Sequence, residues 1–342
     1  MPSLIQLHPN RLTITPQREP QQYKWQSFYL GNGLYGRLKN VTQAANFKAV
    51  KNPFIISKAS KRKMMDSVNS MYVLSKPRKI EMKTKKVIYN YRMSFVTLTL
   101  PSQQCHSDVE IKKSCLNQFF VELRKHYGVQ NYVWKAELQK NENIHFHIVL
   151  DKYVDYQALR RRWNRILNKL NYVKAYQEKM SQLSFNQYHE MSVRYGHTDI
   201  KHNHVRFVSG KRCGWSNPNT VDVRSVHHKK DLAIYMAKYI AKENDRKNIN
   251  ELQVERELAF GRSWFRSYSL SKLKFIHKFE FSDVKDAIQY LSSQKEKVKE
   301  CIGEYYRAFY FNASELHKNF KQWHSFYMFS IAKLFNYPVP YT

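Results

Sequence analysis

Residues 132–150 read YVWKAELQKNENIHFHIVL. Two runs rich in β-branched, aromatic and aliphatic residues flank the polar stretch QKNEN, the pattern of two strands joined by a turn. Successive strand residues point to opposite faces. His145 and His147 therefore project to one side, and Ile144, Phe146 and Ile148 to the other. Two imidazoles on one face of a rigid strand make half of a metal site; two histidines on a solvated strand face are the plain alternative. The preceding run bears on that choice. Glu137 lies in WKAELQ, ahead of His145. A hairpin loop of three or five residues puts Glu137 on the histidine face, directly across from one of them, whereas a loop of two or four turns it to the Phe146 face. Gln139 shares Glu137's face and is the other candidate for a third ligand. Two histidines and a carboxylate with open positions suit a divalent ion that also takes a substrate oxygen.

Working outward, Ser94 to Leu100 alternates and stops at Pro101, which predicts a strand. Asp108 is placed to cap a helix running to His126 and closed by Gly128. After the hairpin, a helix from Asp155 carries Leu159, Trp163, Ile166, Leu167 and Leu170 on one face and Arg160, Arg161 and Arg165 on the other. Residues 175–219 read as a helix and a long loop, 220–226 as a strand, and 261–271 as a further strand. Residues 57–75 read as a basic helix ended by Lys76-Pro77, and 283–336 as one or two long aromatic-rich helices. The order β-α-β-β-α-β-α predicts an α+β fold with a mainly antiparallel sheet.

The charge balance narrows the partners. Against 27 Asp+Glu stand 58 Lys+Arg, for a net charge of +31 over 342 residues. Such a surplus implies a polyanion, and nucleic acid is favoured over an anionic membrane surface. No run of about 18 apolar residues marks a membrane span. The opening MPSLIQLHPNRLTITPQ lacks the basic start and apolar run of a signal peptide. Cys105, Cys115, Cys213 and Cys301 have no CxxC spacing, which fits a reducing cytoplasm better than a zinc module or a disulfide framework. A cytoplasmic protein is therefore expected. Aromatic residues make up 15% of the chain, which offers stacking surfaces to unpaired bases.

Residues 231–244, DLAIYMAKYIAKEN, contain Tyr-x-x-Lys twice, as Tyr235 to Lys238 and Tyr239 to Lys242. Four residues advance a helix by about 400°, so the two tyrosines share nearly one face. Packing of Ile234, Met236, Tyr239 and Ile240 is one account. Two phenols beside two ammonium groups, which favour the phenolate, are the other. Two further histidine pairs, His202/His204 and His227/His228, lie in basic segments with no carboxylate nearby and read as surface or phosphate-facing positions.

The apolar strand 95–100, His145-Phe146-His147 and the downstream Tyr-x-x-Lys pair occur in the order of the three motifs of the HUH endonucleases. The doubled tyrosine resembles the two-tyrosine rolling-circle replication initiators of microviruses and related small phages, over roughly residues 90–270. The resemblance implies an HUH-type palm over residues 89–282, between a basic N-terminal extension (1–88) and a helical C-terminal region (283–342). It implies His145 and His147 as metal ligands with Glu137 as the third, Mg²⁺ or Mn²⁺ as the ion, and Tyr235 and Tyr239 as nucleophiles beside Lys238 and Lys242. Single-stranded origin DNA becomes the substrate, with Arg160, Arg161 and Arg165 along its phosphates, in the cytoplasm of a bacterial host. No G-x-x-x-x-G-K-[ST] occurs, so a host helicase and DNA polymerase are the expected partners. A relaxase or transposase with the same chemistry, or a basic single-stranded nucleic-acid-binding protein without catalysis, are the rival readings.

Overall fold

The computed structural model describes residues 3–8, 11–16, 26–31, 34–38, 56, 58–75, 78–81, 88–91, 93–139, 141–226, 260–272, 281–303 and 306–334. The chain divides into two compact units, one of Met1–Ser57 with Leu273–Val339, the other of Lys58–Lys272 with Pro340–Thr342.

In the first unit, β1 (Ser3–His8) and β2 (Arg11–Pro16) form a hairpin. A second, separate hairpin joins β3 (Gln26–Gly31) and β4 (Leu34–Leu38).

The second unit opens with α1 (Lys58–Leu74) and the hairpin β5 (Arg78–Glu81) and β6 (Ile88–Tyr91). Then follow β7 (Met93–Leu98) and α2 (Asp108–Glu110), which continues through a π-helical stretch, Ile111–Leu116, into α3 (Asn117–Tyr127). Ser107, one residue before the expected cap, accepts from Glu110 N, and Gly128 closes the helix at φ 61. Next come β8 (Tyr132–Leu138) and β9 (Ile144–Leu150). Helix α4 (Tyr156–Asn168) is capped by the Asp155 carboxylate; of its expected face, Leu159, Trp163, Ile166 and Leu167 are buried, and Leu170 falls past the helix end, half-buried.

Where a helix and a long loop are expected over 175–219, three helices stand: α5 (Tyr172–Ser181), α6 (Phe185–Arg194) and α7 (Ile200–Arg212). Helices α5 and α6 are short, and α7, although as long as α4, has its apolar residues scattered around it rather than on one face. The starts of α6 and α7 are fixed locally, by the capping box of Ser184 with Gln187 and by the Asp199 cap. They share a core of Met180, Tyr188 and Trp215. The unit closes with β10 (Val221–Val226), β11 (Trp264–Arg266) and α8 (Tyr268–Lys272).

The main sheet has the order β10-β7-β9-β8-β11 and every pairing is antiparallel. The fold is α+β, a five-stranded antiparallel sheet flanked by helices, as the element order predicts. One sheet face is apolar: Val96, Leu98, Ala136, Phe146 and Ile148 are all buried. Phe146 meets Trp163 of α4 edge-on at 6.3 Å, and Trp163 Nε1 donates to the Thr99 carbonyl at 2.9 Å. The other face carries the histidines.

Residues 283–336 differ from the expected long helices. The first unit instead adds α9 (Phe281–Ser293), β12 (Val298–Gly303), β13 (Tyr306–Phe311) and α10 (Lys318–Leu334). YRAFYF is rich in β-forming aromatics, and β13 pairs with β2 in a sheet of order β1-β2-β13-β12. That partner lies at the far end of the sequence and leaves no local signal. No helix among the described residues is long and apolar enough to cross a membrane.

Candidate metal centre on the polar sheet face

The loop between β8 and β9 spans residues 139–143, the odd length that puts Glu137 on the histidine face. In the resulting register Glu137 lies opposite His145 and Lys135 opposite His147. The loop is held shape by shape: Gln139 N donates to Asn143 O at 2.9 Å, and Glu142 takes a left-handed φ of 65. A second loop braces it. Gln104 N donates to Asn143 Oδ1 at 2.8 Å, Asn143 Nδ2 donates to Ser102 O at 2.8 Å, and Ile144 N donates to Gln104 Oε1 at 2.7 Å. The backbone immediately before His145 is thereby fixed.

The side chains converge. Nε2 of His145 and Nε2 of His147 lie 2.8 Å apart, and Glu137 Oε1 is 2.9 Å from His147 Nε2 and 3.9 Å from His145 Nε2. Among the described residues these form the one group of three His, Cys, Asp or Glu side chains that could hold a metal ion. Ligand atoms about 2.1 Å from a shared ion sit about 3.0–3.4 Å apart at octahedral or tetrahedral angles. The observed spacings bracket that range, so the set fits a divalent ion after small side-chain adjustments. Gln139, the alternative third ligand, falls just past the end of β8, in the loop.

Neighbouring strands orient the set. Thr97 of β7 lies opposite His147, with Oγ1 3.3 Å from His147 Nδ1, and Phe95 stacks on the same ring at 5.7 Å and 21°. The contact at Nδ1 and the stacking on its ring orient the His147 imidazole, with Nε2 toward Glu137 and His145. Lys135 Nζ, buried, lies 3.9 Å from Glu137 Oε2. Burial alone pushes the Glu137 carboxyl up. The hydrogen bond and charge of His147, followed by Lys135 and His145, outweigh that and hold it at about 2. Glu137 is therefore a carboxylate at neutral pH, as a cation ligand must be. Thr97, Phe95 and Lys135 escape the sequence reading; the alternation within FVTLTL and YVWKAEL contains them, but only the strand pairing selects them.

The other expected site residues fare differently. Tyr235, Lys238, Tyr239, Lys242 and the pair His227/His228 lie outside the described residues. Arg160 is engaged within the fold: Nε donates to the Pro218 carbonyl at 2.9 Å, Nη1 to Tyr156 Oη at 3.0 Å, and Nη2 to the Asn217 carbonyl. Arg165 pairs with the buried Glu122, which also takes Arg162 at 3.1 Å. Arg161 is exposed. His202 and His204 lie on α7, a helix rather than a loop.

Residues 93–244 match the family model of replication-associated protein ORF2/G2P. The matched segment contains β7, the β8–β9 hairpin with its three candidate ligands, and helices α4 to α7. The match supports a place among replication initiators and, with it, DNA binding. No curated protein and no solved structure matches the chain.

Proposed function

We propose that the chain initiates DNA replication by nicking single-stranded DNA at an origin through a tyrosine, and rejoins ends when the round is complete, the rolling-circle scheme of HUH endonucleases. The observation that carries this reading is the convergence of Glu137, His145 and His147 on one sheet face, inside the segment that matches a replication-associated family. Residues 89–282 form the nicking and joining domain. Glu137, His145 and His147 hold Mg²⁺ or Mn²⁺, which supplies Lewis-acid stabilisation of the charge gathering on the scissile phosphate.

Tyr235 or Tyr239 supplies the nucleophile. The bond from the phenolic oxygen to phosphorus forms and the bond from phosphorus to the 3′ oxygen breaks. The phenol loses its proton, and the departing 3′ oxygen gains one. The products are a 5′-phosphotyrosine and a 3′-OH that primes the host polymerase, while a host helicase opens the duplex. Lys238 and Lys242 favour the phenolate, whose reference pKa is about 10. The phosphotyrosine keeps the phosphodiester's free energy, so the second tyrosine can cut a regenerated origin while the first end is rejoined. Of the arginines on α4, Arg161 is the one presented to the strand; Arg160 and Arg165 are committed to the fold.

The test is incubation of labelled single strands from the encoding DNA with the protein and Mn²⁺ or Mg²⁺, read on a denaturing gel with peptide mapping of any adduct. A covalent adduct on Tyr235 or Tyr239, absent from the Tyr235→Phe/Tyr239→Phe double variant, is expected. Wild-type protein that neither cleaves nor forms an adduct with either ion overturns the reading.

A further inference from the structure

Helix α7 buries only a narrow side and leaves the rest of its length exposed. Asn203, Phe207 and Gly210, at i, i+4 and i+7, make its buried side. That docking is tight. The Trp215 indole lies where a Gly210 side chain would be, 2.2 Å from an ideal Cβ, and Trp215 N donates to the Gly210 carbonyl at 2.9 Å. Asn203 Nδ2 donates to the His197 carbonyl at 2.7 Å. Rotation of α7 about its own axis is thereby fixed, and so is the face it turns to water.

On a helical wheel the centre of that outer face is Lys201, Val205, Val208 and Arg212. Val205 is 66% exposed and Val208 50%, and both cations at the ends are exposed. His202 and His204 flank the stripe, and Ile200 to Arg212 contains no Asp or Glu. The carboxylate next to it in sequence, Asp199, caps the helix, accepting from His202 N at 3.1 Å. Lys211, on the edge, reaches back to the Ser181 carbonyl at 2.6 Å.

We propose that α7 docks a segment of double-stranded DNA, laying its Lys201–Val205–Val208–Arg212 stripe into the major groove. The chemistry matches at each point. Lys201 and Arg212 stand about 16 Å apart along the helix, at about 1.5 Å per residue. That separation exceeds the major groove's width of about 12 Å, so each can meet a phosphate at its edge. The two valines between them meet base edges and thymine methyls rather than charge. The absence of carboxylates removes repulsion from the backbone. Single-stranded DNA fits this face less well, because it rewards aromatic stacking platforms and the stripe has none. The inference rests on the reading of the chain as an origin nickase, in that it gives the base-paired part of an origin its own contact, separate from the metal-bearing sheet face.

Fluorescence anisotropy of the full-length protein with a short mixed-sequence duplex and with oligo(dT) of equal length tests it. Lys201→Glu/Arg212→Glu should weaken duplex binding by about 10-fold or more and flatten the log–log salt dependence by about 2, the loss of two phosphate contacts. Binding to oligo(dT) should change far less. Val205→Ser/Val208→Ser should weaken duplex binding several-fold at unchanged salt slope. Far-UV circular dichroism checks that both variants keep the wild-type fold. Three results overturn the proposal: wild-type protein that binds no duplex, charge reversal that leaves duplex binding as it was, or equal losses on duplex and oligo(dT). A wild-type dimer that dissociates when the valines are replaced also overturns it, and assigns the face to a second copy. The nickase reading is judged separately, by wild-type cleavage in Mn²⁺. Failure there with α7-dependent duplex binding intact sinks the nickase and spares the helix.

Discussion

On the sheet, Glu137, His145 and His147 are placed by hydrogen-bonded register, and each candidate ligand is fixed to the backbone of a strand with neighbours on both sides. On α7, the outward residues are placed only by what the helix buries on its other side, Asn203, Phe207 and Gly210 beneath Trp215. The first arrangement sets individual atoms to within ångströms, as a metal site requires. The second sets a face, and long side chains do the rest, as phosphate contacts allow. The sheet face is accordingly sensitive to single atoms, and the helix face to charge and to docking.

The largest expected effect is on the sheet. His145→Ala/His147→Ala should lower nicking by at least about 10²–10³-fold, the scale on which removal of electrostatic transition-state stabilisation acts, while salt-sensitive DNA binding persists. Undiminished cleavage in metal-replete buffer would break the assignment. Glu137→Ala should lose more activity than Gln139→Ala, because only Glu137 brings negative charge to the histidines; parallel time courses decide it, and a greater loss for Gln139→Ala would reverse the assignment. Thr97→Val keeps the shape but removes the partner of His147 Nδ1. It should weaken metal affinity by about 10–100-fold, measured by calorimetric titration, and Thr97→Ser should restore most of it.

Smaller effects belong to the helices. Gly210→Ala puts a methyl where the Trp215 ring lies. It should destabilise the α5–α7 region by about 1–3 kcal/mol, seen as lost amide-exchange protection there, while metal affinity at the sheet is unchanged. Equal loss of protection in β7 and β9 would mean that the two regions are not separable. The smallest effect involves Glu122. Burial pushes its carboxyl up, but hydrogen bonds from Gln118, Arg162 and Arg165 outweigh this and hold it below the usual range. A depressed folded-state pKa contributes stability above the unfolded value and loses it as pH falls through the folded one. Glu122→Gln should therefore cost about 1–2 kcal/mol at neutral pH, with the gap from wild type closing below about pH 4. Urea melts at the two pH values check this.

Local chemistry determined a good part of this molecule. Alternation in IHFHIVL dictated which residues face the helices and which face away, the 3.6-residue period dictated the buried side of α4, and Asp155 and Gly128 marked helix ends, because each depends on residues within a turn or two of one another. The histidine pair and its candidate carboxylate were legible for the same reason. The tertiary structure decided what those residues meet. The parity of a five-residue loop brought Glu137 opposite His145. Pairing across the sheet chose Thr97 for His147, and a return loop claimed Arg160 through the carbonyls of Asn217 and Pro218. The strands at 298–303 and 306–311 depend on β2 for a partner. A side chain's direction follows from its own backbone, but its partner is delivered by a distant segment, and only the folded chain brings the two together.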